Sequence, residues 1–187
     1  MAVIFLIIIL FSTSKWETKS FIGDDIFFLI GCILVATGSL GRVWCSLYIA
    51  GYKNDSLVTL GSYSILRNPL YFFSLIGIIG IGFATKTLLI PIAFLLLFLV
   101  YYPNLIKSEE KRLLVIHGPK FEEYVKNTPS FFPKISLLIE PESYIVNPKI
   151  FKREIYRAFY FVSSIGIIEI FKGFHEAGIL PVYLKIY

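Results

Sequence analysis

The chain is poor in charged residues, cysteine and histidine. Only 17% of its 187 residues are charged, and it contains two cysteines and two histidines. Cys32 and Cys45 fall in one predicted helix about 20 Å apart, whereas a disulfide requires Cα atoms within about 7 Å of each other. The sequence therefore offers neither a disulfide framework nor a cluster of metal ligands, and we expect no metal site.

Apolar residues dominate instead. They make up 56% of the chain, and the mean hydropathy is +0.73. One soluble domain of this length cannot bury so much apolar surface, which predicts an integral membrane protein with a single domain over residues 1–187. The formal net charge is +5, but the basic residues lie between apolar runs and form no single basic face. Nucleic acid is therefore not an expected partner.

Apolar runs predict an all-α, polytopic fold with about five transmembrane helices. The runs cover residues 2–11, 26–50, 70–83, 88–102 and 155–171. The first run is short for a span and needs the following residues to reach an interfacial Trp16. Residues 85–87 leave room only for a tight turn, so the third and fourth helices form a hairpin. Pro103 is expected to end or kink the fourth helix.

The distribution of lysine and arginine predicts the orientation. Most of them lie in two polar sections, residues 51–68 and 103–154, which the predicted spans place on one side of the membrane. Cytoplasmic loops are enriched in these residues. We therefore expect a multi-pass protein of the cell (inner) membrane with both polar sections facing the cytoplasm.

A polar stretch over residues 61–71 interrupts the apolar runs. Asn68 followed by Pro69 is typical of a helix start, with Asn as the cap and Pro in the first turn. Two interpretations stay open. The stretch is either a capped entry into a membrane helix, with Arg67 and the tyrosines among the lipid headgroups, or an anion or cofactor site at a helix N-terminus.

A second polar segment begins at Ser108 and reads as the start of a surface helix. Its apolar face is defined by four residues: Leu105, Ile106, Leu113 and Ile116. Glu109 falls near the middle of that face and Glu110 at its edge. A buried carboxylate must be paired or bound, because leaving it uncompensated costs several kcal/mol, to order of magnitude. A salt bridge to Arg112 or to Arg67 is the structural alternative to a ligand.

Two further features are ambiguous. Arg42 lies inside the second predicted helix, where it is a functional candidate, although snorkelling to the interface explains it about as well. Residues 121–124 are amphipathic, with Phe121 and Tyr124 able to face the membrane, and they predict a lid on the bilayer surface. Arg157 is a polar position in the fifth helix whose role the sequence does not reveal.

The order of these motifs resembles the isoprenylcysteine carboxyl methyltransferases and the related phospholipid N-methyltransferases. The resemblance covers about residues 57–134, leaving residues 149–187 as an extra C-terminal helix and tail. The motifs that carry it are Gly61-x-Tyr63-x-x-x-Arg67-Asn68-Pro69-x-Tyr71, Glu109-Glu110-x-x-Leu113, Gly118-x-x-Phe121-x-x-Tyr124 and Pro129-x-x-Phe132-Pro133. It implies a membrane enzyme that uses S-adenosylmethionine.

Carried over from the family, the resemblance implies a set of cofactor-binding residues. They are Arg67, Asn68, Pro69, Tyr71, Gly80, Gly82, Glu109 and Glu110, and of these Arg67, Asn68 and Tyr71 would be catalytic. The glutamates can accept from the amino group or ribose of the cofactor, while Arg67 and the helix start can hold its carboxylate. Asn68 stands where the family most often has histidine, and it cannot take up a proton at neutral pH.

The implied function is transfer of a methyl group from S-adenosylmethionine to a lipophilic acceptor. A carboxylate is favoured because it needs no general base; an amine or a hydroxyl is also possible. Two other hypotheses stay open. One is a membrane-embedded NAD(P)H-dependent lipid reductase, with Arg67, Lys111 and Arg112 on the phosphates. The other is a scaffold that keeps the fold without the chemistry, suggested by Asn68.

Overall fold

A computed structural model of the chain describes residues 12–14, 21–50, 56–180 and 184–186. The first predicted helix, residues 2–11, lies outside the described residues. The regular secondary structure of the described part is helical apart from a short parallel pairing of two strands.

Within the described ranges, six α-helices follow one another between the two strands. The elements are β1 (Ser12–Ser14), α1 (Phe21–Ile49), α2 (Ser62–Ile65), α3 (Pro69–Ala84), α4 (Leu89–His117), α5 (Pro119–Asn127), a 3-10 turn (Ile135–Leu137), α6 (Pro148–Glu176) and β2 (Leu184–Ile186). The predicted helices within the described residues are thus present, each with somewhat different ends.

Helices α1 and α3 pack closely because glycines face each other across the contact. A Cβ atom added at Gly38 would lie 2.6 Å from the backbone nitrogen of Gly77, and one added at Gly80 would lie 2.7 Å from the nitrogen of Val35. Such close backbone approach is the usual way for apolar helices to associate where burial from water gives no driving force between them. The pair forms the centre of the bundle.

The α3–α4 hairpin is confirmed, but its second helix is longer than predicted. The turn passes through Lys86, whose φ is +59°, and α4 then continues without a break through Pro103 to His117. Of the two outcomes expected at Pro103, an end or a kink, the end is therefore wrong, as is the separate surface helix at Ser108. Proline removes one backbone donor, and a long helix packed against neighbours tolerates that loss.

In the part of the chain that the structure describes, two helices are long and apolar enough to cross a membrane: residues 23–49 of α1 and the whole of α4. Helix α3 is apolar but shorter, and α6 carries charged residues toward both ends. Apolar side chains point outward from the spans; Leu40 is 71% exposed and Val100 is 75% exposed. Such faces suit lipid and not water. The described residues support a membrane protein; they do not confirm five spans, and the first predicted span lies outside them.

The segment after α5 wraps over α2 and holds it to the bundle. Main-chain bonds join the Lys134 nitrogen to the Ile65 oxygen at 3.0 Å and the Gly61 nitrogen to the Ile139 oxygen at 2.8 Å. From α1, the Tyr48 hydroxyl donates to Glu140 at 2.7 Å. These contacts fix the polar loop that leads into α3.

Helix α6 packs on α1 and also reaches the α3–α4 turn. Asn147 caps it, accepting hydrogen bonds from the nitrogens of Lys149 and Ile150. Near its other end, Glu169 lies 3.9 Å from the Lys86 amino group. The first turns of α6 therefore stand beside the C-terminal part of α1, at the end of the bundle where the polar loops gather.

Candidate functional site

A cavity of about 320 Å³ opens where α1, α3, α4, α5 and α6 meet the polar loops. Its volume lies in the range of small-molecule sites. Five of the predicted cofactor residues line it, namely Arg67, Asn68, Pro69, Tyr71 and Glu109. Other polar residues line it too, namely Arg42, Tyr63, Ser74, Tyr102, Tyr124 and Arg157.

Arg67 is held from three sides. Its Nε lies 3.0 Å from Oε1 of Glu110, and its Nη1 donates to the carbonyl oxygens of Val125 and Thr128 at 2.8 and 3.2 Å. Its backbone nitrogen donates to the Pro129 oxygen at 2.8 Å. Within the described residues none of these bonds uses Nη2, which leaves that part of the guanidinium for a ligand.

Asn68 occupies the cap position of α3 but makes no capping hydrogen bond, so the predicted cap is wrong. Its side-chain amide instead donates to Oε1 of Glu110 at 3.2 Å and to the carbonyl oxygen of Ser130 at 2.9 Å. These two bonds fix the amide nitrogen, and the side-chain oxygen accepts no hydrogen bond from the first turn of α3. The first-turn N–H groups at Leu70 and Tyr71, which line the cavity wall, are consequently not satisfied by the cap residue.

Tyr71 and Glu109 join α3 to α4 across the cavity wall. The Tyr71 hydroxyl donates to Oε2 of Glu109 at 2.7 Å, and Oε1 of Glu109 lies 3.6 Å from the Arg112 guanidinium. The predicted pairing of Glu109 with Arg112 is thus present. Arg112 is half exposed, so this ion pair is weak and a ligand donor can compete for the carboxylate.

Three predicted cofactor residues do not line the cavity. Glu110 stands behind it and holds Arg67 and Asn68 in place. Gly80 packs against α1, and a Cβ atom at Gly82 would lie 2.7 Å from the Pro91 nitrogen of α4. Both glycines serve helix packing in the structure, because α3 turns its small residues toward its neighbours.

The inward face of α4 is rotated from the predicted one. Ile106 is buried and Leu113 lines the cavity, whereas Leu105 and Ile116 are exposed. Tyr102, one turn before Ile106, completes the inward face. The difference arises because α4 continues from the membrane span, so packing in the span sets its rotation.

Arg42 forms a polar cluster that the sequence did not predict. Its guanidinium donates to the Ser74 hydroxyl, and its Nη2 lies 3.4 Å from Oε2 of Glu154. Arg157 also donates to Glu154. We call these four residues, Arg42, Ser74, Glu154 and Arg157, the arginine cluster. It joins α1, α3 and α6 at the cavity, and the sequence signals for it were the ionisable residues Arg42 and Arg157 inside apolar runs.

Tyr63 was part of the recognised motif but was not assigned a role. It is only 7% exposed, it lines the cavity, and its hydroxyl has no hydrogen-bond partner among the described residues. Burial raises the pKa of Tyr63 well above its usual value, so the hydroxyl keeps its proton. An unpaired buried hydroxyl on a cavity wall is a candidate donor to a ligand.

The amphipathic segment predicted at residues 121–124 is present as part of α5, whereas its role as a lid on the bilayer surface stays a prediction. Phe121 and Tyr124 are buried while Glu122, Glu123 and Lys126 are exposed. The Tyr124 hydroxyl donates to the Tyr63 carbonyl oxygen at 2.6 Å, and burial raises the pKa of Tyr124. Helix α5 is therefore bonded to the loop that carries the pocket residues.

The cavity combines opposite charges in one small space. Arg67 and the open N-terminus of α3 favour a carboxylate, and Glu109 favours an amino group or hydroxyls. These features define an apolar helical bundle of membrane type with a charge-lined pocket at one end.

The chain belongs to the phospholipid methyltransferase family, whose model matches residues 26–120. It is 37% identical to the cobalt-zinc-cadmium resistance protein CzcN of Cupriavidus metallidurans over 92% of this chain and 78% of that protein. It is 34% identical to the nickel-cobalt-cadmium resistance protein NccN of Alcaligenes xylosoxydans xylosoxydans over 83% of this chain and 72% of that protein. No solved structure matches the chain.

Proposed function

We propose that the protein is an integral-membrane methyltransferase that transfers a methyl group from S-adenosylmethionine to a lipophilic acceptor. Membership of the phospholipid methyltransferase family supports the reaction class. The observation that carries the proposal is the placement of Arg67 and Glu109 on the wall of one cavity. A donor that bears both an amino group and a carboxylate needs such a pair of opposite charges.

The residues present fit this donor. Nη2 of Arg67 and the first-turn N–H groups of α3 would hold the carboxylate, and Glu109 would accept from the amino group or ribose hydroxyls. When bound, S-adenosylmethionine supplies a methyl group on a positively charged sulfur. Tyr71 would keep Glu109 oriented through its 2.7 Å bond, and Glu110 would keep Arg67 in place.

The chain's contribution to the reaction is alignment and exclusion of water. Methyl transfer is an in-line displacement, so holding donor and acceptor in one geometry supplies much of the rate. Tyr124 of α5 contributes to the cavity wall on the loop side. Glu109 is already bonded to Tyr71 and Arg112, so it is poorly placed to act as a base. An acceptor that is already nucleophilic, such as a carboxylate, is therefore favoured over an amine or a hydroxyl.

Binding of S-adenosylmethionine to the full-length protein in detergent tests the donor site. We expect saturable binding that Glu109→Gln weakens by about tenfold, as for loss of one charge-assisted bond. Glu122→Gln on the exposed face of α5 is the matched control and should bind like the wild type. No saturable binding, or equal binding by Glu109→Gln, contradicts the proposal.

The same sample separates the two other hypotheses. A reductase would be stabilised by NADPH in a thermal melt, whereas the proposed transferase would be stabilised by S-adenosylmethionine. Lys111, which would have to meet a phosphate, is exposed and does not line the cavity. A scaffold would be stabilised by neither compound.

The names of the two relatives concern metal resistance, and we propose that this protein contributes to tolerance of divalent metals through its methylated lipid product. Growth in cadmium of cells lacking the protein tests this. Wild-type protein should restore tolerance, while the Glu109→Gln protein should not. Equal rescue by both proteins would show that metal tolerance does not depend on methyl transfer and would contradict this proposal.

A further inference from the structure

The arginine cluster holds more positive than negative charge. Arg42 and Arg157 share the single carboxylate of Glu154, and among the described residues no other carboxylate bonds to either. The side chain of Glu154 is 12% exposed and that of Arg42 is 20% exposed. The side chain of Arg157 is 53% exposed. The one positive charge that Glu154 leaves unbalanced therefore lies at an open part of the cluster, where an anion can reach it.

The cluster opens on the same cavity as the donor site but lies deeper in the bundle. Both Arg42 and Arg157 line the cavity. With a rise of 1.5 Å per residue, Arg42 lies about 10 Å below the loop-side end of α1, and Glu154 about 9 Å below the start of α6. Ser74 follows Tyr71 by one turn on α3, so the two sites adjoin. This depth suits a group that enters from the bilayer rather than from the cytosol.

Tyr63 connects the two sites electrostatically. Glu109 raises the pKa of Tyr63 and Arg42 lowers it, although burial has the largest effect. The hydroxyl of Tyr63 has no partner among the described residues, and Tyr63 lines the same cavity as Glu109 and Arg42. It can donate to an anion placed between them.

On this geometry we propose that the arginine cluster is a binding subsite for the anionic head group, a phosphate or carboxylate, of the lipophilic acceptor. Arg42 and Arg157 bind the oxyanion, and Glu154 and Ser74 orient the arginines. Half of this subsite comes from α6, which lies outside the residues 26–120 that the family shares. The identification of the bound lipid as the methyl acceptor rests on the proposed function. The anion site itself rests on the contacts of the arginine cluster.

Lipid binding by the full-length protein in detergent tests the subsite. The probes are lysophosphatidate and, as its uncharged match, a monoacylglycerol with the same chain. We expect lysophosphatidate to bind the wild-type protein about tenfold or more tightly than the monoacylglycerol, and Arg42→Gln and Arg157→Gln to remove most of that preference. Arg153→Gln, one turn earlier on the exposed face of α6, should retain it.

Three results would overturn the subsite. The first is equal binding of the two lipids by the wild-type protein, and the second is a lipid preference that both arginine variants retain. The third is competition by inorganic phosphate as tight as that by lysophosphatidate, which would assign the cluster to a free anion. Binding of S-adenosylmethionine is measured in parallel. The arginine variants should keep it, which also shows that they fold. If the wild-type protein shows the lipid preference but does not bind S-adenosylmethionine, the proposed methyltransferase function is contradicted and the anion subsite is still supported.

Discussion

The hydroxyl of Tyr71, in the first turn of α3, donates a 2.7 Å hydrogen bond to Oε2 of Glu109 in α4. It ties the open helix N-terminus to the carboxylate that faces it across the pocket. We expect Tyr71→Phe to weaken S-adenosylmethionine binding by about tenfold or more, since a bond to a charged group contributes about 1.5–3 kcal/mol and about 1.4 kcal/mol is a factor of ten. Tyr101→Phe, an exposed neighbour on α4, is the control in the same titration. Equal losses in both variants would show that the Tyr71 bond is not specific to the pocket.

Glu110 acts on the pocket from behind, and its loss should affect stability as well as binding. Glu110→Gln removes the charge that holds Arg67 at 3.0 Å. For this partly buried pair we expect about 1–2 kcal/mol of destabilisation, seen as a lower melting temperature in detergent. Glu142→Gln, on an exposed part of the segment after α5, should leave melting unchanged. An unchanged melting temperature for Glu110→Gln would contradict this role.

Asn68 is bonded on both sides, which suits a tuned site more than a degenerate one. Its amide nitrogen donates to Glu110 and to the Ser130 carbonyl. The position is only 8% exposed, and an imidazole there cannot donate to both acceptors from one nitrogen. Asn68→His should therefore lower both the melting temperature and the rate of methyl transfer. A large gain in transfer rate would instead point to a site that has lost its chemistry.

The contact between α1 and α3 should tolerate no side chain. A Cβ atom at Gly38 would lie 2.6 Å from the Gly77 backbone nitrogen, so Gly38→Ala must push the helices apart, at a cost of about 1–3 kcal/mol. In α6, a Cβ atom at Gly166 meets nothing within 4 Å. Gly166→Ala should be neutral or stabilising by up to about 1 kcal/mol from helix propensity. Comparing the two melting temperatures checks the packing directly; equal effects would contradict it.

The free energy of unfolding should fall in alkali, because tyrosines that keep their protons when buried lose them in the unfolded chain. Burial raises the pKa of Tyr124 above its unfolded value, so its contribution is complete below about pH 10 and is lost as pH rises beyond the unfolded pKa. Tyr124→Phe loses the 2.6 Å bond to the Tyr63 oxygen, about 1 kcal/mol at pH 8. Its melting temperature should then decline less steeply than that of the wild type from pH 9 to pH 11. Parallel declines would contradict the assignment.

The sequence predicted those parts of the fold that depend on local signals. The break before α5 follows from Gly118 and Pro119, and the amphipathic helix from the spacing of Phe121 and Tyr124. The short turn at residues 85–87 follows from the two apolar runs beside it. The motif order predicted the family, which the match over residues 26–120 confirms.

The remaining features depend on contacts distant in the chain. Arg42 meets Glu154 across 112 positions, and no local pattern pairs them. Asn68 stands at the cap position without capping, because its amide group is held by bonds to Glu110 and Ser130. Pro103 did not end α4 because neighbouring elements pack against the helix on both sides of it. In each case tertiary packing overrode a local preference.

Transfer of labelled methyl groups is the most direct test of the central claim. Membranes containing the wild-type protein are incubated with methyl-labelled S-adenosylmethionine, and the label in the lipid extract is compared with that from membranes containing Glu109→Gln or Glu122→Gln. We predict label in the lipid fraction with the wild type and Glu122→Gln, and about tenfold less with Glu109→Gln at limiting donor. Equal lipid labelling by all three proteins, or none above membranes without the protein, would contradict the account.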